Sequence, residues 1–250
     1  MDKELIEQLR IWADECETVD FIQQDPIQFP WRYGDVRDIE ISAFVTAWLS
    51  YGNRLHFTKV ADQIDKELFC EHPYRFIMRK NRLTGRFQYE DFRADKKRLY
   101  RFFCYSDLSE LCETLRQVYK KHDSMGDFVK CELDINHTPL DVLQTYFGHI
   151  KGIPCPETKG ASKRLNMFLR WMVRRNSPVD FGLWTKISPT LLYVPVDTHV
   201  AQLAYKLGLM PTKVADKKYT EYLTAEMRDV FPGDPARGDF AIYGKSVMTK

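Results

Sequence analysis

Lys163 and Asp197 are the residues whose types and positions point most directly to chemistry. Lys163 opens a basic amphipathic segment, 163–175, directly after a loop rich in glycine and proline. Asp197 precedes another helical segment, where its carboxylate can accept hydrogen bonds from the first turn. A neutral lysine amine is a nucleophile, burial lowers the pKa of a lysine, and an anchored carboxylate stabilises a cation or accepts a proton. The pair therefore fits covalent catalysis by an amine, although a plain N-cap and a solvated lysine explain the same residues.

The sequence around both residues resembles that of the helix-hairpin-helix DNA glycosylases. The segment 195–209, PVDTHVAQLAYKLGL, resembles the stretch that carries their essential aspartate. Gly160, Lys163 and Asn166 match the pattern that places their catalytic lysine on the first turn of a helix. The usual L-P-G-V-G hairpin is replaced by I-P-C-P-E-T-K-G. The interval between Lys163 and Asp197 is longer than in most bifunctional members and is similar to that of the archaeal 8-oxoguanine DNA glycosylases.

Over its length the chain most resembles DUF2400, an uncharacterised bacterial family related to these glycosylases. The shared segments are DPIQFPWRY at 25–33, IEISAF at 39–44 and DFAIYG at 239–244. The resemblance implies an all-α, helix-hairpin-helix glycosylase-like fold with two helical lobes and a central cleft. We expect residues 1–250 to form a single domain whose hairpin, following helix and catalytic region occupy about 150–210.

The resemblance implies base-excision repair of DNA. Lys163 would attack the sugar C1′ and form a Schiff base, which permits strand cleavage by β-elimination, and Asp197 would stabilise the cationic sugar or take up a proton. We expect a bifunctional glycosylase and AP lyase that acts on an oxidised purine such as 8-oxoguanine. Its partner would be double-stranded DNA with a damaged base, without cofactor, metal or membrane, and the protein would be a cytoplasmic, nucleoid-associated monomer.

Several polar residues are candidates for contact with the DNA. Asn53 would wedge into the stack that the extruded base vacates, and Arg54 would contact the orphaned base. The region 150–176 is locally basic, and glycine-rich turns that lead into helices offer backbone N–H groups to phosphates. The other predicted DNA contacts are Lys151, Gly152, Lys159, Gly160, Arg164 and His199. A Gly-Asn helix stop and a solvated cationic face are the simpler explanations.

Phe168, Trp171 and Asp239 are the candidates for the base pocket. The two aromatic rings could stack on a flipped base, and the carboxylate could accept hydrogen bonds from it. Aromatic residues at helical spacing more often belong to the core, and Asp239 can equally cap a helix.

The pattern along the chain predicts helices separated by short breaks. Asp38 would cap a core helix through residue 50, and a long helix would run from residue 95 to about 121, with a possible break at 105–107. The segment 20–37 reads as an ordered loop, and the last helix would cover 235–247. No alternating Val- and Ile-rich run predicts a substantial sheet.

Composition narrows the class of protein further. Lys and Arg number 37 against 35 Asp and Glu, a formal net charge of +2, which neither favours nor excludes nucleic acid because a local patch governs association. Hydrophobic residues make up 44%, enough for a sizeable core, so the composition favours a folded chain over a disordered one. The six cysteines lack metal-ligand spacing and indicate reduced thiols. No signal peptide and no apolar run of about 18 residues is present.

Two other functions stay open. The altered hairpin and near-neutral charge favour a helix-hairpin-helix DNA-binding protein without catalysis, which would bind duplex or abasic DNA in a salt-sensitive way. A helical protein without any DNA role would show no DNA affinity even at low salt. The three alternatives differ in one observable geometry, because only the enzyme requires the Lys163 amine and the Asp197 carboxylate in one cleft.

Overall fold

A computed structural model describes residues 1–244 of the protein. Its α-helices are α1 (Lys3–Cys16), α2 (Val19–Gln24), α3 (Val36–Leu49), α4 (Arg54–Gln63), α5 (Pro73–Met78), α6 (Tyr105–Tyr119), α7 (Met125–Glu132), α8 (Pro139–Phe147), α9 (Lys163–Val173), α10 (Thr198–Lys206) and α11 (Lys217–Val230). A single antiparallel pair in this range joins β1 (Arg98–Tyr100) to β2 (Phe103–Cys104). The described chain is therefore predominantly helical, which confirms the all-α prediction.

Helix α3 is buried along most of its length and packs against α9. Its residues are apolar on nearly every side, so no face is left for solvent. The ring of Phe44 lies 4.6 Å from that of Phe147 in α8 and 5.0 Å from that of Phe168 in α9. A hydrogen bond from Arg164 to the Trp48 carbonyl places the C-terminal end of α3 beside the N-terminal end of α9.

A buried carboxylate, that of Glu40, fixes α3 to α7. It accepts hydrogen bonds from the Tyr119 hydroxyl (2.8 Å), the Trp184 indole (2.7 Å) and the N–H groups of Met125 and Gly126. Burial raises the pKa of Glu40, although these four hydrogen bonds act to lower it. Four donors for one carboxylate explain how an acidic residue is accommodated in the core.

The C-terminal segment Phe240–Gly244 returns to α1 and α10. A Cβ at Gly244 would lie only 2.6 Å from that of Cys16, so α1 leaves no room for a side chain there. Asp239, directly before this segment, is paired with buried Arg170 of α9. The Tyr243 ring lies beside Lys163, so the last described residues pack along α9.

The predicted long helix over 95–121 is wrong. Residues 98–104 form the β1–β2 hairpin, and α6 begins only at Tyr105, next to the break that the sequence indicates. Phe103 is buried against Trp48, with ring centroids 4.2 Å apart. Since this contact spans more than fifty residues, tertiary packing overrides a local spacing that also suits a helix.

Three smaller predictions also need correction. Asp35 rather than Asp38 caps α3, and Asp38 accepts from the Tyr74 N–H at 2.7 Å. The predicted loop 20–37 contains part of α2 and two 3-10 turns, Pro26–Gln28 and Pro30–Arg32. The predicted helix 235–247 is a 3-10 turn at Pro235–Arg237 followed by a π-helical turn at Phe240–Gly244, and 245–247 lie outside the described residues. Within 1–244, every helix is too short or too polar to cross a membrane.

Candidate functional site

A cavity of about 800 Å³ lies at the start of α9. Two turns form its rim, one at 50–52 after α3 and one at 152–154. Its wall also includes Lys163, Asp197, Asp25, Asp239 and Tyr243, which come from four separate parts of the chain. The predicted catalytic pair and several further polar groups therefore line the same cavity.

Lys163 and Asp197 form an ion pair in this cavity. The Lys163 Nζ lies 3.0 Å from Asp197 Oδ2. The other carboxylate oxygen, Oδ1, accepts hydrogen bonds from the N–H groups of His199 and Val200, both at 2.9 Å. Asp197 is thus the N-cap of α10 and the partner of the lysine at once. The two interpretations of this aspartate, as a cap and as a site residue, are compatible because each uses a different oxygen.

The ion pair determines the protonation of Lys163 and Asp197 in the free protein. Burial alone would lower the pKa of Lys163, but the Asp197 carboxylate and the Tyr243 hydroxyl outweigh it and raise that pKa above its ordinary value. Burial would raise the pKa of Asp197, yet the Lys163 ammonium and the Val200 N–H lower it. The expectation that the pocket lowers the lysine pKa is therefore wrong for the free protein. The amine must pass a proton on before it can attack, and Asp197 is within hydrogen-bond distance to accept it.

A residue with a left-handed backbone conformation immediately precedes Lys163. Ser162 has a φ of 50°, which residues other than glycine rarely adopt. Its hydroxyl accepts from the Gln144 side chain at 3.0 Å, and the buried Asn166 amide donates to the Ala161 carbonyl at 3.1 Å. The asparagine of the K-x-x-N pattern thus holds the chain that delivers Lys163 to the cavity.

Two carboxylates and a phenol complete the interior of the cavity. Burial raises the pKa of Asp239 to about 6, although Arg170 and Lys163 act against it. Asp25 is also buried, and its Oδ1 accepts from the Ile27 N–H at 3.1 Å. Tyr243 places its ring 5.1 Å from Lys163 Nζ. Asp239 lies in the cavity wall, and its base-pocket role stays a prediction. The sequence analysis missed Asp25, whose signal is its place at the start of the segment 25–33.

Phe168 and Trp171 do not line the cavity, so their prediction as base-pocket residues is wrong. Both are completely buried within the core. The Phe168 ring packs edge-on against Phe44 and against Trp184, at 5.0 and 5.4 Å between centroids. Because α9 is covered on most of its circumference, its aromatic residues belong to the core rather than to a ligand surface.

Arg54 and Asn53 have structural partners. The Arg54 guanidinium donates to the Tyr243 hydroxyl and to the Gln24 carbonyl, so it forms part of the cavity wall instead of reaching outward. Asn53 is exposed and caps α4, with its Oδ1 3.4 Å from the His56 N–H. The predicted contact of Arg54 with an orphaned base does not agree with this geometry, and the wedge role of Asn53 stays a prediction.

The predicted phosphate-facing residues fall into two groups. Gly152 and His199 line the cavity, and Gly152 has a φ of +83° with no room for a Cβ beside the Phe103 ring. Lys151 lies next to the rim and pairs with Asp107 at 3.3 Å. Lys159 and Gly160 instead connect the loop to the start of α11, where the Lys159 carbonyl accepts from the Lys217 N–H at 2.8 Å. Gly160 therefore does not lie on the cavity rim with Gly152.

Arg164 connects the end of α3 to the turn at 152–154. Its guanidinium donates to the main-chain carbonyls of Trp48 and Gly152, and burial lowers the pKa of Arg164 to about 10. Its donors are engaged with the protein, so the prediction that it binds DNA phosphates is wrong. The residue holds the rim in shape.

Arg164→Ala should therefore act on stability rather than on ionic contacts. Two charged hydrogen bonds are lost, and we expect the free energy of unfolding to fall by about 2 kcal/mol, measured by urea denaturation. Lys159→Ala, an exposed change on the same loop, should stay within about 0.5 kcal/mol of wild type. Unchanged stability combined with a smaller salt dependence of DNA binding would contradict this assignment.

Comparisons with known proteins identify a family. Among residues 1–244, no group of three or more His, Cys, Asp or Glu side chains is arranged to hold a metal ion. No match was found among curated proteins or among solved structures. The sequence profile of the DUF2400 family, described as a protein of unknown function, matches residues 25–248. Since this match covers most of the chain, the protein belongs to the DUF2400 family.

Proposed function

We propose that the protein is a DNA glycosylase with AP-lyase activity that removes a damaged base from duplex DNA. The observation that carries this proposal is the Lys163–Asp197 ion pair, with 3.0 Å between the charged atoms, in a cavity of about 800 Å³. A cavity of this size accommodates a small organic ligand such as a nucleoside. The proposed fold is of the helix-hairpin-helix glycosylase type, with helical lobes on either side of this cleft.

The chemistry begins with transfer of a proton from the Lys163 ammonium to Asp197. The neutral amine then attacks the sugar C1′, and the bond between C1′ and the base nitrogen breaks as the base leaves with the proton that Asp197 returns. The ring oxygen is released as a hydroxyl group when the C1′–nitrogen double bond of the Schiff base forms. Loss of a proton from C2′ then expels the 3′ phosphate by β-elimination. Once it has returned its proton to the base, the Asp197 carboxylate is charged again, and it lowers the energy of the positive charge that develops at C1′.

The interior of the cavity favours a base that presents hydrogen-bond donors. Asp25 and Asp239 are both buried there, and carboxylate oxygens accept hydrogen bonds. Oxidation of guanine at C8 adds a donor at N7 to those at N1 and the exocyclic amine. This chemistry supports an oxidised purine as the substrate.

Borohydride trapping tests the proposal directly. Duplexes with one oxidised, deaminated, alkylated or abasic site are incubated with the full-length protein and sodium borohydride, which reduces a Schiff base to a stable bond. We expect a protein–DNA adduct on abasic DNA and on duplex with an oxidised purine. Excision of a base without an adduct would leave a glycosylase that depends on Asp197 alone. Neither excision nor adduct on any duplex would refute the enzyme.

A DNA-binding protein without catalysis is the second candidate. Two observations favour it: the Lys163 amine is held in its charged form, and Gly160 faces α11 instead of the cavity rim. This candidate predicts salt-sensitive binding of duplex or abasic DNA with no covalent adduct.

A further inference from the structure

The β1–β2 hairpin packs directly against the cavity rim. The Tyr100 hydroxyl donates to the Tyr51 carbonyl at 2.6 Å, which ties β1 to the first turn of the rim. Phe103 of β2 lies against Trp48 and occupies the space that a Cβ at Gly152 would require, which ties β2 to the second turn. The hairpin therefore extends the surface that surrounds the entrance of the cavity.

The tip of the hairpin holds an arginine and a phenylalanine beside an exposed tyrosine. Arg101 has a φ of 51°, in the left-handed region that favours glycine. Its guanidinium lies 5.2 Å from the centre of the Tyr51 ring, and the Phe102 ring lies 5.1 Å from that ring. Tyr51 and Phe102 remain 44% and 40% exposed. We call these three residues the tip platform: two rings and a guanidinium that face solvent at the rim.

The chain that leads to the tip platform carries exposed positive charges that form no ion pairs. Lys97 and Arg98 are exposed, as is Arg101. Within residues 1–244 none of these three side chains forms an ion pair, in contrast to the nearby Lys151, which is paired with Asp107. Unpaired cations beside exposed aromatic rings match the recognition of single-stranded or distorted nucleic acid, in which cations bind phosphates and bases stack on rings.

We propose that the β1–β2 hairpin is a second DNA-binding element, which binds the backbone beside the damaged nucleotide and receives an unpaired base on the tip platform. The inference rests on the proposed function, because the cavity entrance is where a base would leave the duplex. Lys97 and Arg98 would bind phosphates, and the tip platform would favour DNA whose stacking is already broken over intact duplex.

Binding of the full-length protein to fluorescent duplexes, followed by anisotropy over a series of salt concentrations, tests this role. One duplex is intact and the other carries a tetrahydrofuran abasic analogue. In the variant with both Lys97→Ala and Arg98→Ala, we expect about tenfold weaker binding to both duplexes and a salt slope smaller by roughly two. Phe102→Ala should instead reduce the preference for the abasic duplex by about tenfold.

The variant with both Lys120→Ala and Lys121→Ala is the matched control. It also removes two exposed cations without ion pairs, but at the opposite end of α6, roughly 20 Å along that helix from the hairpin. We expect the control to bind as wild type does. If the hairpin variants have the dissociation constants and salt slope of this control, the hairpin role is overturned.

Borohydride trapping of wild type in parallel separates the two proposals. An adduct with wild type together with normal binding by the hairpin variants overturns only the hairpin role. Binding that depends on the hairpin, without an adduct or base excision, overturns the enzyme and retains the hairpin. Wild type that binds neither duplex at low salt overturns both.

Discussion

Lys163→Gln is expected to abolish covalent trapping on abasic DNA and to reduce single-turnover strand cleavage by at least about a thousandfold. The amide of glutamine is not a nucleophile and cannot form a Schiff base. The Asp197 carboxylate keeps its two backbone hydrogen bonds, which do not depend on the lysine. The start of α10 should therefore remain folded. The measurement is the amount of protein–DNA adduct after borohydride treatment, with protein in excess over DNA.

Lys186→Gln provides the control for this experiment. Lys186 also forms an ion pair, at 2.8 Å with Asp127, but the pair is exposed and lies outside the cavity. We expect trapping by this variant to equal that of wild type. Full trapping by Lys163→Gln would show that another amine attacks the sugar and would refute the assigned nucleophile. Base excision retained without trapping would indicate a glycosylase in which water replaces the lysine.

The helices that present the pair could be predicted because their signals are local. Asp197 is followed by a helical pattern, and an aspartate at that position can bind the first N–H groups wherever the helix lies. The distance between Lys163 and Asp197 has no such local signal, because it depends on the path of the chain from 174 to 196. Only the resemblance to glycosylases predicted that the two residues would meet.

The errors of prediction have a common physical origin in long-range packing. Leu99, Phe102 and Phe103 have a spacing that fits a helix, but Phe103 is buried against Trp48, and this contact favours a hairpin. The prediction of Phe168 as a pocket residue is wrong because the sequence does not show that α9 is covered on nearly all sides. Asp25 lies in the cavity wall beside residues that are distant in the sequence, and no local pattern indicates this position.

The position of Arg164 shows why a basic segment is a weak predictor of nucleic-acid binding. Residues 163–175 contain several cations, yet Arg164 is bound to two carbonyls, and Arg170 and Arg174 are buried in ion pairs. Unpaired cations lie on the hairpin at 97–101, a segment whose pattern predicts a helix. The density of positive charge along the chain therefore marks residues that stabilise the fold rather than residues that are free to bind DNA.

Asp197→Asn should slow base excision by roughly 10² to 10⁴-fold, because the amide cannot accept the proton of the Lys163 ammonium or stabilise a cation at C1′. Asparagine is as effective an N-cap as aspartate, so its side-chain oxygen can still accept from His199 and Val200. We expect the melting temperature to change by only a few degrees. The measurement is the single-turnover excision rate alongside a thermal melt.

Asp216→Asn is the matched control, since Asp216 caps α11 through a 2.8 Å bond from the Tyr219 N–H but does not line the cavity. It should excise at the wild-type rate. A comparable loss of activity in this control would mean that capping, rather than the charge beside Lys163, accounts for the effect of Asp197→Asn.

The pH dependence of trapping should also differ between wild type and Asp197→Asn. In wild type the carboxylate raises the pKa of Lys163 above its ordinary value, so the reactive neutral amine is scarce at neutral pH and its fraction grows with increasing pH. Without the carboxylate, the largest contribution that raises the lysine pKa is lost, so this pKa falls. The trapping rate of the variant should therefore level off at a lower pH than that of wild type, although its maximum is smaller. The same inflection in both proteins, measured from about pH 6 to about pH 10, would show that Asp197 does not control the protonation of the nucleophile.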